Sequence, residues 1–307
     1  MRITANGIAI EIDDQGPPAG EPILLIMGLG MPLLGWPDEL VADLVGRGYR
    51  VIRFDNRDIG LSESFDHLGL PSVIAASLRY LVHLPVRSPY PLSAMADDAI
   101  GVLDALGLAS AHIVGASMGG MIAQHIAAKF PTRTRSLTLV MTSSGARHLP
   151  QASGKVRRLL LKGAPGKDVD SIVSHLTQVV TTIGSPGYPP EPERLRQRLL
   201  AMVTRSWRPA GTARQLLAIA ADGDRSPWLN RIQAPTLVMH GLDDPLVPVA
   251  AGHDLVAKIG GTTSDFVPGM GHDFPPALMP RMAAGIAGNA ARATKGADFN
   301  RALLVDK

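Results

Sequence analysis

Gly115-Ala116-Ser117-Met118-Gly119 is the segment whose residue types suit nucleophilic chemistry. It follows the apolar run His112-Ile113-Val114 and leads into a helical pattern that begins near Met118. Glycine-x-serine-x-glycine between a strand and a helix puts the serine on a tight, strained turn, with Oγ lifted out of the sheet edge into a cleft. A side chain at either flanking position would collide with the adjoining strand or helix. Ser117 also stands at a helix N-terminus, whose dipole favours developing negative charge. The five-residue pattern alone is weak; its place between strand and helix gives it weight.

A serine hydroxyl is a poor nucleophile without a base. Where a serine sits on such a turn, the acid and then the histidine follow it along the chain. Two histidines lie beyond the acidic segment Gly241-Leu242-Asp243-Asp244-Pro245. His253 falls in a predicted helix starting near Val249 and is read as a solvated helix residue. His272 falls in the loop Gly269-Met270-Gly271-His272, just after a predicted strand over 265–267, and is the expected base. Asp243 and Asp244 both follow the strand over 236–239. One of them is expected to accept the imidazole Nδ1–H; the other is a turn residue. Two backbone N–H groups must also converge on an oxyanion. Met118 supplies one, and the loop Met27-Gly28-Leu29-Gly30-Met31 the other. Leu29 is the expected donor there, with Gly28 and Gly30 as alternatives, since glycines let backbone approach a substrate closely.

The elements that position these residues alternate. Short apolar runs over 23–27, 49–54, 111–114, 137–141 and 236–239 predict parallel strands covered on both faces by helices. Residues 3–12 predict a hairpin turning at Asn6-Gly7. Residues 93–106 predict a helix with Met95, Ala99, Val102, Leu103 and Leu106 on its packed face and Asp97, Asp98 and Asp104 outside that stripe. Active-site loops in such sheets lie at the carboxyl ends of the strands. The block Asp55-Asn56-Arg57-Asp58-Ile59-Gly60-Leu61-Ser62 is read as a bracing network for those loops. Met118, Met121 and Met141 are read as core filler.

Two stretches break the rhythm. Residues 65–90, with Val73, Ile74, Leu78, Leu81 and Val82, predict one extra amphipathic helix. It is read as an insertion that pads the core, the functional alternative being part of a substrate entrance. Residues 145–229 lose the strand pattern altogether. The expected organisation is therefore a core of residues 1–145 and 231–307, with a helical cap over 146–230.

Composition narrows the chemistry. The 307 residues include no cysteine, which excludes disulfides, thiolate nucleophiles, zinc–thiolate sites and iron–sulfur clusters. A net charge of +3, with no basic run interleaved with aromatics, argues against a nucleic-acid partner. The first sixteen residues lack the apolar stretch of a secretory signal, which predicts a cytoplasmic protein. No apolar run is long enough to span a bilayer, so no membrane partner is expected.

Together, Met27-Gly28-Leu29-Gly30, Phe54 through Ser62, Gly115 through Gly120, Pro235 through Asp244 and Gly269 through His272 resemble the α/β-hydrolase fold superfamily. Gly35-Trp36-Pro37-Asp38-Glu39 and the Arg57-Asp58 pair resemble its branch of aclacinomycin methylesterases and related carboxylesterases. The resemblance implies a mostly parallel α/β sheet flanked by helices, with an inserted helical cap. It favours Asp244, which precedes a proline, as the acid, and Leu29 as the second oxyanion donor. The expected activity is hydrolysis of short to medium acyl or methyl esters through an acyl-enzyme, with a small-molecule ester as partner and no metal or organic cofactor. A perhydrolase, amidase or carbon–carbon hydrolase on the same triad is the alternative. The serine excludes the aspartate-nucleophile chemistry found elsewhere on this fold.

Overall fold

Asn6 and Gly7 both adopt positive φ, at 50° and 77°, and close the tight turn their types predict. The turn joins β1 (Arg2–Ala5) to β2 (Ile8–Gln15) as an antiparallel pair. The computed structural model describes residues 1–162 and 166–305. Its other strands are β3 (Pro22–Ile26), β4 (Arg50–Phe54), β5 (Ala111–Ala116), β6 (Thr134–Val140), β7 (Thr236–Gly241) and β8 (Thr263–Val267). They form one sheet in the order β1-β2-β4-β3-β5-β6-β7-β8, parallel from β4 onward.

The alternation of side chains along β3 explains its unbroken apolar sequence. Ile23 and Leu25 face one side, where they meet Leu40 and Leu44 of α1 (Asp38–Gly46) and Met282 and Ile286 of α11 (Met279–Val305). Leu24 and Ile26 face the other. There they join Met95 and Val102 of α3 (Leu92–Ala105) and Ile122 and Ile126 of α4 (Met118–Lys129). A strand covered on both faces has no position for a polar residue. The helix α10 (Ala250–Lys258) adds Leu255 to this second layer.

The chain leaves β3 toward β4 and then returns past it to β5 on the opposite side. That reversal opens a crevice beyond the carboxyl ends of β3 and β5, the place where open parallel sheets bind ligands. The loop at Met27 and the turn at Ser117 flank it.

Two expectations change. Asp98, outside the apolar stripe of α3, is buried, because Arg57 binds both its oxygens at 2.6 Å. The helix α2 (Val73–Leu81) exists as predicted within 65–90, but it does not pad the core: Ala76 is its one buried residue.

Among the described residues, five helices lie between β6 and β7: α5 (Gly154–Lys162), α6 (Val169–Ile183), α7 (Pro192–Arg205), α8 (Pro209–Asp222) and α9 (Ser226–Leu229). The helices α6 and α7 share a small core of Ile172, Val173, Leu195, Leu199 and Met202. The helix α8 sends Ala218 into the main core and buries Arg214 and Gln215 beside it.

Candidate active site

Ser117 occupies φ 53°, ψ −119°, a left-handed conformation that costs a non-glycine residue energy. Two backbone bonds and two glycines hold it there. Ser117 N–H donates to Val140 O at 2.9 Å, and Thr142 Oγ1 donates to Ser117 O at 2.7 Å. A Cβ at Gly119 would collide with Ile26 O, and one at Gly115 with Gly119 O. The glycines of the motif are thus fixed by the close approach of the turn to β3 and α4.

Ser117 Oγ lies 3.1 Å from His272 Nε2, and His272 Nδ1 lies 2.7 Å from Asp244 Oδ2. These three residues come from the ends of β5, β7 and β8. The carboxylate of Asp244 is buried and oriented: its Oδ1 accepts Leu246 N–H at 2.9 Å and Val247 N–H at 2.8 Å. A carboxylate facing Nδ1 fixes the proton there and leaves Nε2 free to accept from the hydroxyl. Asp243 turns the other way. Its Oδ2 accepts Gly269 N–H at 2.8 Å and ties down the loop that carries His272. His253 is exposed on α10 and stacks on Phe266, with centroids 4.2 Å apart.

His240 is a further buried neighbour of the acid, with Nε2 3.6 Å from Asp244 Oδ2. Burial depresses its pKa, so it is neutral. Val247 O, an acceptor 2.7 Å from Nε2, places its proton on that nitrogen.

In the loop after β3, Gly30 N–H donates to Gln215 Oε1 at 3.0 Å, and Met31 N–H to Gly28 O at 3.3 Å. Those amides are committed. Leu29 N–H has no partner among the described residues, and neither does Met118 N–H at the first turn of α4. A Cβ on Gly28 would stand 3.2 Å from Ser117 Cβ, which shows how closely the loop passes the Ser117 turn.

The block from Asp55 to Ser62 braces this loop, as its composition suggests. Asp55 Oδ1 accepts Leu33 N–H at 2.7 Å, and Asn56 Nδ2 donates to Met27 O at 3.0 Å. Asp58 is fully buried and bound by Arg214 of α8 through both oxygens, at 2.8 and 2.7 Å. Burial alone would raise its pKa; bonds from Arg214, Tyr90 and Phe65 N–H outweigh that and hold the carboxyl below its ordinary value.

Sequence reasoning did not find the contacts from the helices between β6 and β7. Gln215 joins the Gly30 amide to Arg57 O, to which its Nε2 donates at 2.9 Å. The end of α6 grips the other loop: His272 N–H donates to Ile183 O at 2.7 Å, and Gly271 N–H to Ser185 Oγ at 2.8 Å. Ser185 Oγ also donates to Asp273, whose pKa is raised by burial. No spacing in the sequence links 185 to 271 or 215 to 30.

A family model described as alpha/beta hydrolase fold matches residues 21–275. The chain belongs to the alpha/beta hydrolase fold family. It is similar to a rhodomycin D methylesterase from Streptomyces sp. strain C5, 28% identical over 95% of this chain and 98% of the relative. A poly(3-hydroxyalkanoate) depolymerase from Ectopseudomonas oleovorans is 31% identical over 78% of this chain and 77% of its own. Among solved structures, a meta-cleavage product hydrolase from Pseudomonas fluorescens IP01 superposes with a TM-score of 0.73, covering 95% of this chain and 98% of that one. At 20% identity that match speaks for the fold alone. The resemblance read from the motifs, to the methylesterase branch of the alpha/beta hydrolases, stands.

Proposed function

We propose that this alpha/beta hydrolase cleaves carboxylic esters through an acyl-serine intermediate. The observation that carries the reading is the continuous chain of contacts from Ser117 Oγ through His272 to Asp244, at the crevice between β3 and β5. Ser117 Oγ attacks the ester carbonyl carbon while His272 Nε2 takes the hydroxyl proton. The imidazolium is stabilised by Asp244 and returns the proton to the leaving alkoxide. Water then enters, loses a proton to Nε2 and attacks the acyl carbon, which releases the acid and restores Ser117.

The carbonyl oxygen becomes negative twice in this cycle. Leu29 and Met118 N–H, both without a partner among the described residues, serve as its donors. One such donor contributes about 3–4 kcal/mol to the transition state. The similarity to a rhodomycin D methylesterase over nearly the whole chain supports an ester, with methyl esters among the substrates to try.

The test is a series of p-nitrophenyl esters from acetate to palmitate, with wild type and Ser117→Ala side by side. Wild type should release a burst of p-nitrophenol stoichiometric with enzyme. The alanine variant should lose turnover by about 10⁶-fold, the scale seen when a triad serine is removed. Turnover that persists in Ser117→Ala overturns the serine mechanism.

A further inference from the structure

The helix α2 is built to stand without a core beneath it. At its start Ser72 Oγ accepts Ala75 N–H at 3.2 Å. At its end His83 takes positive φ, 60°, and Leu84 N–H donates to Arg79 O at 2.8 Å. Both termini are therefore capped locally. Its apolar residues face outward. Ile74, Leu78 and Leu81, at helical spacing, are 77, 59 and 63% exposed, and Leu70 beside them is 75% exposed. Eight of the fourteen exposed large apolar side chains among the described residues fall between 68 and 84. A concentration of that kind marks a surface that meets something apolar.

Its charge identifies the partner. Between 67 and 96 there is no Asp or Glu, only Arg79, Arg87 and two histidines. Both arginines line an open cleft of about 580 Å³ beside the helix, away from Ser117. Arg147 lies over the ring of Tyr80, 5.9 Å from its centroid, and begins a second acid-free stretch. That stretch, 145–167, adds Lys155, Arg157, Arg158, Lys162 and Lys167. None of these eight cations makes an ion pair among the described residues, whereas fourteen of the other 22 do. Outside the two stretches the chain holds 22 Lys and Arg against 27 Asp and Glu. The excess positive charge of the whole molecule is carried by these two stretches, which meet where Arg147 lies over Tyr80.

We propose that α2 and its basic surroundings dock this protein on an anionic lipid bilayer. An apolar helical face rimmed by unpaired arginines suits the boundary between acyl chains and acidic headgroups. A second copy of the chain suits it poorly: a two-fold contact would set Arg79, Arg87 and Arg147 against their own counterparts with no acid between them. Among the described residues no helix is long and apolar enough to cross a membrane. The sequence argument against a membrane partner rested on spanning, which a helix lying in the interface does not need.

The full chain should be sedimented with vesicles of phosphatidylcholine alone and of phosphatidylcholine with phosphatidylglycerol at 3:1. Binding should appear only with the anionic vesicles and fall steeply with added salt. The pair R79Q/R87Q should weaken it by about fivefold per arginine, roughly thirtyfold together. The triple variant I74Q/L78Q/L81Q should bring it to background, with an unchanged near-ultraviolet circular dichroism spectrum. All five sites lie outside the Ser117 crevice, so esterase turnover on soluble substrates is a separate reading. Wild type that stays in the supernatant with anionic vesicles at low salt overturns the proposal. So does binding that neither variant alters. Sedimentation equilibrium showing a dimer that I74Q/L78Q/L81Q dissociates, with no vesicle binding, also overturns it and assigns the face to a second copy.

Discussion

Replacing Gln215 by Met tests whether the helices between β6 and β7 set the geometry of the oxyanion loop. Methionine nearly matches glutamine in length and volume, so packing changes little. Two polar groups lose their partners: Gly30 N–H, at 3.0 Å from Oε1, and Arg57 O, at 2.9 Å from Nε2. Gln215 is fully buried, so water does not readily replace it. Each orphaned group costs about 1–3 kcal/mol, or about 2–6 kcal/mol for both. For a chain of this size that is a fall in Tm of about 3–9 °C. The loop is then free to rotate Gly30 and carry Leu29 N–H away from the oxyanion. Loss of one donor lowers kcat by about 10²–10³-fold. KM should change little, because the hole acts on the charged intermediate more than on the bound ester. The assay is steady-state hydrolysis of a p-nitrophenyl ester beside thermal unfolding. A variant that melts earlier yet keeps kcat within twofold of wild type would refute the claim that Gln215 positions the loop. An unchanged Tm would refute the energetics behind it.

Two further outcomes follow from the same geometry. Asp244→Asn should lower kcat by about 10³–10⁴-fold, since an amide facing Nδ1 stabilises the wrong tautomer. Asp243→Asn should cost less than about tenfold, because an amide oxygen can still accept Gly269 N–H; parallel kinetics on the two variants check the assignment. His112 is buried, and desolvation depresses its pKa to about 4, against 6.5 in the unfolded chain. The unfolded chain therefore binds the extra proton in that window. The stability contributed by the neutral ring is complete above pH 6.5 and declines as pH falls toward 4, by up to about 3 kcal/mol. Urea midpoints of wild type and His112→Gln between pH 4.5 and 7.5 should show the variant with the flatter profile, and equal slopes would remove His112 as the cause.

Much of the framework was legible in the chain because its signals are local. Apolar runs that end in glycine or aspartate give the parallel strands, and the Asn6-Gly7 turn gives the hairpin, since each depends on neighbours a few residues away. The glycines around Ser117 likewise report a turn whose constraints lie within five residues and one adjoining strand. The chain order expected after a serine on such a turn, acid and then histidine, directed the search to residues 241–272. Where local pattern misled, a distant partner decided. Asp98 falls outside the apolar stripe of its helix, and Arg57, 41 positions away, holds it in the interior. The apolar face of α2 looked like core filler because periodicity records that a face is apolar and says nothing about which way the helix is turned.

The sequence by itself determined the tight turn at Ser117, the candidate base and the sheet that carries them, because backbone sterics and burial on both faces of a strand leave few other choices. The residues by themselves left Asp243 and Asp244 open, and only the family resemblance favoured Asp244: adjacent residues differ in the direction their side chains leave the turn, and that direction is set by Leu246 and Val247 N–H on one side and Gly269 N–H on the other. The tertiary structure alone committed the Gly30 amide, through a glutamine 185 positions away. It alone turned α2 outward. Both outcomes rest on contacts between segments remote in sequence, and the energy of such contacts leaves no period or spacing in the chain.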